Sequence, residues 1–97
     1  MLQNFRTYHV ALQFYQECEN LRLRSHLQDQ LLRASLSVVL NLSEGSAQPT
    51  APNRKRFYSI AFASFKESQS ILDLSWNRAL IEKFDHLGAM LYRLSRS

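Results

Sequence analysis

Arg54, Lys55 and Arg56 are consecutive cations closing the stretch "NLSEGSAQPTAPNRKR", residues 41–56. Such a run can neutralise phosphates and release their counterions. It follows the breakers Pro49 and Pro52 and opens a helical segment, where the positive end of the helix dipole favours anions. Each cation in a first turn costs about 0.3–1 kcal/mol before screening. A local rule broken without structural gain points to function, against the plainer reading of a solvated basic turn. Phe57 and Tyr58 adjoin the run, although aromatics at helical spacing more often build a core than a stacking platform.

Other chemistry is sparse. His9, His26 and His86 fall in three different helical segments, with no His pair four residues apart, no His-Glu-x-x-His and no Cys-x-x-Cys, so no metal site is expected. Gly45 and Gly88 are the only glycines, which excludes a glycine-rich phosphate loop. Ser35, Ser37, Ser64 and Ser68 recur at core-facing spacing with no His nearby in sequence; they read as small residues that let helices approach. Cys18 is a lone cysteine and packs as a small hydrophobe. No catalytic residue and no cofactor is expected, and the chain is not expected to be an enzyme.

These residues need helices to position them. Residues 4–20 carry Phe5, Tyr8, Leu12 and Tyr15 on one stripe, widened by Ala11, Phe14 and Cys18. A second helix starts at Ser25, with Gln28 completing a capping box, and runs to Gly45, where a left-handed backbone would end it. Asn53 is a fair N-cap for the third helix, and Thr50 with Pro52 would serve nearly as well. That helix extends to about Trp76. A fourth carries Leu80, Phe84, Leu87, Leu91 and Leu94. Short connectors place such helices antiparallel to their sequence neighbours, which predicts an all-α, up-down-up-down four-helix bundle forming one domain over residues 1–97. With 97 residues the chain is near the lower limit for a self-sufficient core. Its 45% hydrophobic and 21% charged content suits a compact helical protein. Apolar runs such as "LSVVLNL" are far shorter than the ~20 residues of a membrane span, and "MLQNFRTYHV" lacks the order of a signal peptide; a cytoplasmic, non-membrane protein is expected.

The second and third helices are more apolar than one core face requires. Leu31, Val38 and Leu42 line one stripe with Ser35, and Leu32, Leu36, Val39 and Leu40 another. In the third helix Phe57, Ile60, Ala61, Ser64, Ser68 and Ile71 share a stripe beside Tyr58, Phe62, Phe65, Leu72 and Trp76. Either a small bundle buries both helices deeply, or the second stripes join copies of the chain. Large contiguous apolar patches favour the second reading, with Tyr58, Phe62, Phe65, Leu32, Leu36 and Leu40 as the candidate oligomer interface.

The segments "QLLRASLSVVLNLSEG" and "FYSIAFASFKESQSIL" resemble the signature of the four-helix-bundle proteins encoded in intervening sequences of bacterial 23S rRNA genes, a family related to the accessory variability determinant of diversity-generating retroelements. The family pattern falls on Leu31, Arg33, Ala34, Ser37, Asn41, Glu44 and Gly45, then on Ile60, Ala61, Ala63, Ser64, Phe65 and Glu67. Val39 stands where a proline is common in the family, and Ala63 where glycine is usual. The resemblance implies a homopentameric ring of bundles with a basic surface and no enzymatic activity. For the retroelement relative it implies binding to a reverse transcriptase and nucleic acid. Among the motif residues Asn41 is expected to hydrogen-bond within the bundle or to loop backbone. Glu44, at a helix C-terminus, is expected to be compensated by a base such as Arg56.

Antiparallel helices sort the charge by end. One end collects Arg6, Arg54, Lys55, Arg56, Arg93 and Arg96 against Glu44 alone. The other holds Arg22, Arg24, Arg78 and Lys83 against Glu17, Glu19, Asp29, Asp73, Glu82 and Asp85. Overall charge is +4 and the isoelectric point near 9.6. The basic end is expected to bind RNA or DNA, or a ribonucleoprotein partner, with those six cations as contacts. The alternative is a protein-interaction adaptor that touches no nucleic acid.

Overall fold

A computed structural model describes residues 2–96. The chain forms five helices: α1 (Leu2–Glu19), α2 (Ser25–Ser46), α3 (Ala51–Leu74), α4 (Arg78–Lys83) and α5 (Asp85–Arg96). Among the described residues there is no β-strand. The 24 residues of α3 span about 36 Å at ~1.5 Å per residue, close to the 40 Å long axis of the molecule. α2 packs against α1 and α3, while α5 packs against α3 and α1.

Tyr58, near the start of α3, accepts a hydrogen bond from Asn4 of α1 (3.0 Å) and shares one with Ser46 at the end of α2 (3.4 Å). That contact gathers the start of α1, the end of α2 and the start of α3 at one end of the molecule. At the other end Gln28 of α2 donates to the carbonyl of Cys18 (3.1 Å), and Lys83 of α4 pairs with Glu17 of α1 (2.5 Å). In the middle Phe14 meets Phe65 edge-on at 5.1 Å and Phe84 at 5.2 Å. Such ring pairs contribute about 0.5–1.5 kcal/mol each beyond area burial.

Local chemistry explains most boundaries and corrects several expectations. Ser25 is the first residue of α2 and not its cap; the cap position is Arg24, which makes no side-chain capping bond. Gln28 reaches back further than a capping box requires, accepting from the Leu23 N–H (3.2 Å) while it holds the Cys18 carbonyl. It thereby ties the connector rather than the helix end. Thr50 caps α3, accepting from the Asn53 N–H (3.4 Å), with Pro52 in the first turn where its missing N–H costs nothing. The cap therefore lies three residues before the one expected at Asn53.

The expected fourth helix is interrupted. Phe84, at φ −110° and ψ 19°, leaves the helical path between α4 and α5 and drives its ring into the core beside Phe14. Asn77 caps α4 through Leu80 (3.3 Å). Asp85 in the first turn of α5, and Arg93 and Arg96 in its last, all complement that helix's dipole. In α1 the buried line is Thr7, Ala11, Phe14 and Cys18, whereas Tyr8, Leu12 and Tyr15 flank it and Phe5 is 64% exposed. Mostly small side chains, not the large ones expected, face the centre of α1, because α2 and α5 both close on it.

Candidate interaction surfaces

Ser37 and Ser64 bridge α2 and α3 with a hydroxyl pair 2.8 Å apart. The amide of Asn41 donates to the Ser37 carbonyl (2.9 Å) and hydroxyl (3.0 Å), so its partner is the preceding turn of its own helix. Positions 33, 37, 41 and 44 recur at intervals of four and three residues and share one side of α2; 60, 64 and 67 do the same on α3. The motif residues Arg33, Ser37, Asn41, Glu44, Ser64 and Glu67 thus line a half-exposed seam on the outside of the α2 and α3 pair. Exposed apolar side chains flank it: Leu40 at 56%, Leu36 at 38% and Ile60 at 41%.

The expected oligomer interface divides into two groups. Leu36 and Leu40 stand on the surface, and Leu32 is half-buried against the core. Tyr58 and Phe65 do not belong to any exposed face: they are buried, Tyr58 among polar partners at the end and Phe65 against Phe14. Phe62 is half-buried on the opposite flank of α3, edge-on to Tyr92 of α5 at 5.6 Å. Val39, placed with the outer stripe by spacing, is also buried.

Gly45 lies inside α2 with no positive φ, contrary to the left-handed terminator expected. The helix ends instead at Ala47 in a right-handed conformation. A Cβ on Gly45 would meet the Tyr58 ring at 2.7 Å and the Phe57 Cβ at 3.2 Å. The motif glycine is required by the close crossing of α2 and α3.

At the basic end, Arg6, Lys55, Arg56, Arg93 and Arg96 are all exposed. Arg54 is half-buried and donates to the Gln48 carbonyl (3.1 Å), so it pins the loop between α2 and α3. Arg56 lies over the Phe57 ring at 5.7 Å and Arg96 over Tyr92 at 4.8 Å. The compensation of Glu44 by Arg56 does not occur; the ion pairs among the described residues are Arg78 with Asp73 and Lys83 with Glu17. Because α3 starts at Ala51, the three cations follow its opening residues and reach into the second turn. The Arg54 N–H already donates to the Thr50 carbonyl (3.0 Å), and dipole effects fade beyond the first turn. Their dipole cost is accordingly small. What remains unusual about them is their grouping.

Trp76, which spacing assigns to the apolar stripe of α3, lies two residues beyond the helix, at φ 59°, with 88% of its surface exposed. Its N–H donates to the Asp73 carbonyl (3.1 Å), and that of Asn77 to Leu72 (2.9 Å). This paired closure normally carries glycine at the left-handed position. A bulky aromatic there is an outlier, and the sequence signal is the absence of glycine at a helix end.

No group of His, Cys, Asp and Glu among the described residues is placed to hold a metal ion. His26 and His86 are exposed, the latter stacked on Phe84. No helix among the described residues is long and apolar enough to cross a membrane. Compared with known families, residues 4–97 match the model described as 23S rRNA-intervening sequence protein. The chain belongs to that family. No curated protein and no solved structure matches it. In this member of the family the α2 motif residues serve two ends: Gly45 admits the Tyr58 ring, whereas Arg33, Ser37, Asn41 and Glu44 shape the outer seam.

Proposed function

We propose that the chain is a non-catalytic, cytoplasmic protein that binds nucleic acid, or a ribonucleoprotein partner such as a reverse transcriptase, through its basic end. In this reading it is an up-down-up-down four-helix bundle, with α4 and α5 together as the fourth helix. Copies join along the outer seam of α2 and α3, five being the number the family resemblance implies. The observation that carries the reading is the grouping of five cations open to solvent, Arg6, Lys55, Arg56, Arg93 and Arg96, where Glu44 is the lone acid and pairs with none of them. Repetition around a ring would concentrate that potential.

Binding to duplex DNA and to structured RNA, followed by gel shift over a salt series, tests it. Replacing Lys55 and Arg56 with Gln should weaken binding by a similar factor across sequences and flatten the salt slope by about 0.9 for each duplex phosphate no longer neutralised. Arg78→Gln is the control, since Arg78 already pairs with Asp73 at 3.5 Å. Equal weakening in the two variants, or no affinity at low salt, would favour the second reading, a protein adaptor. Exposed Leu36, Leu40 and Ile60 are the apolar face that such an adaptor would offer.

A further inference from the structure

At the end opposite the basic cluster, Trp76 and Leu74 stand 88% and 70% exposed beside a groove that includes Leu23, Leu27, Arg22 and Arg24. The turn that presents the indole is firmly tied: its two closing hydrogen bonds are in place, and Asn77 goes on to cap α4. Holding a non-glycine residue in this left-handed conformation costs about 1–2 kcal/mol, which glycine would avoid. Strain of this kind, kept at a rigid and exposed position, calls for a use of the side chain.

The two arginines that line the groove with it indicate the use. Along the connector, half-buried Leu21 and Leu23 alternate with exposed Arg22 and Arg24, so both arginines stand on the solvent side. Of the acids of this end, Asp73 pairs with Arg78 and Glu17 with Lys83, while Glu19, Asp29, Glu82 and Asp85 are exposed and form no ion pair among the described residues. Arg22 donates to the Leu21 carbonyl at 3.4 Å, and neither arginine pairs with a carboxylate among the described residues. Both guanidinium groups are therefore free of a direct carboxylate partner.

We propose that this surface is a second nucleic-acid contact, specific for single strands: an unpaired base stacks on Trp76 while Arg22 and Arg24 hold the flanking phosphates. An open indole face beside paired cations is the arrangement that single-strand binding uses, because every base offers a π-face and every linkage a charge. A peptide anchor would instead need an enclosed pocket, whereas this indole is 88% exposed at the edge of an open groove. The proposal rests on the reading of the chain as a nucleic-acid-binding protein, but not on the basic end.

Trp76 is the sole tryptophan, so its fluorescence reports the site directly. Titration with a short oligouridine at low salt should quench it saturably, and added salt should reverse the quenching. Trp76→Gly, which suits the backbone and so preserves the fold, should weaken binding of labelled oligouridine by about 5- to 150-fold. Trp76→Tyr should retain most of the affinity, and Arg22→Gln with Arg24→Gln should flatten the salt dependence. Lys55→Gln with Arg56→Gln should leave the quenching unchanged. Absence of saturable quenching, or unaltered oligouridine affinity in Trp76→Gly, overturns the proposal. Equal quenching by oligoglutamate overturns it too, since the groove would then read charge without stacking. Duplex binding without quenching defeats this site alone, whereas quenching without duplex binding defeats only the basic end.

Discussion

The ring of Tyr58 occupies the space that a Cβ on Gly45 would need, 2.7 Å from its Cε1. Tyr58 cannot easily yield, being buried and hydrogen-bonded to Asn4 and Ser46. The pair joins the end of α2 to the start of α3 and fixes where the basic end stands relative to the seam.

Gly45→Ala should therefore destabilise the protein by about 1–3 kcal/mol of overpacking, less the ~1 kcal/mol that alanine gains in a helix. Gly88→Ala should be nearly neutral, because its nearest neighbour is the Phe65 ring edge at 3.2 Å and a small shift relieves it. Urea unfolding of both variants checks the order. Equal effects would mean that the close crossing at Gly45 is not what constrains it.

Trp76→Gly should raise stability by about 1–2 kcal/mol, since glycine accepts the left-handed closure of α3 without Cβ strain. In a chain of 97 residues that corresponds to a gain of several degrees in Tm. Thermal unfolding followed by circular dichroism would show it. An unchanged or lowered Tm would place the ring in contacts that stabilise the fold.

Substitutions along the two stripes of α2 and α3 should separate assembly from folding. Leu40→Glu or Ile60→Glu changes a surface position of the single chain and should leave helicity intact, while light scattering shows dissociation of the oligomer. Phe65→Glu places a charge in the core and should unfold the chain outright. A wild type that stays monomeric on concentration would rule out assembly along the seam altogether.

Alkaline stability should depend on Cys18. Burial pushes its thiol up to about 12, with the Ser35 hydroxyl opposing the rise and Glu17 adding to it. In the unfolded chain the thiol ionises near ~8.5. Between those values the unfolded state holds fewer protons than the folded one, so stability is full below the lower value and falls as pH rises towards the upper. Burial, and then Glu19, also raise Tyr15, which contributes to the same fall. Cys18→Ala should make the decline between about pH 8 and 11 shallower in urea unfolding; identical slopes would show that the folded thiol ionises freely.

Local pattern was sufficient to determine that this chain is helical and where its first three connectors lie. Periodicity, prolines and cap residues act within a few neighbours, so α1, α2 and α3 are legible to within a few residues. The resemblance carried by the α2 and α3 motifs is legible for the same reason. Local pattern does not determine which stripe of a doubly apolar helix turns inward. Tyr58 and Phe65 look as suited to an interface as Leu40 does, and only the rotation of α3 against α1 and α2 buries the first two. Gly45 likewise reads as a helix terminator until the neighbouring ring gives it a packing role. Trp76 reads as part of a helical stripe because spacing cannot register that the helix has already closed two residues earlier. Cap choice is a competition between Thr50 and Asn53 that the loop resolves, with Arg54 pinning Gln48, and that choice moves the three cations away from the helix start. In each case the deciding energy lies between elements, where sequence distance carries no information about contact.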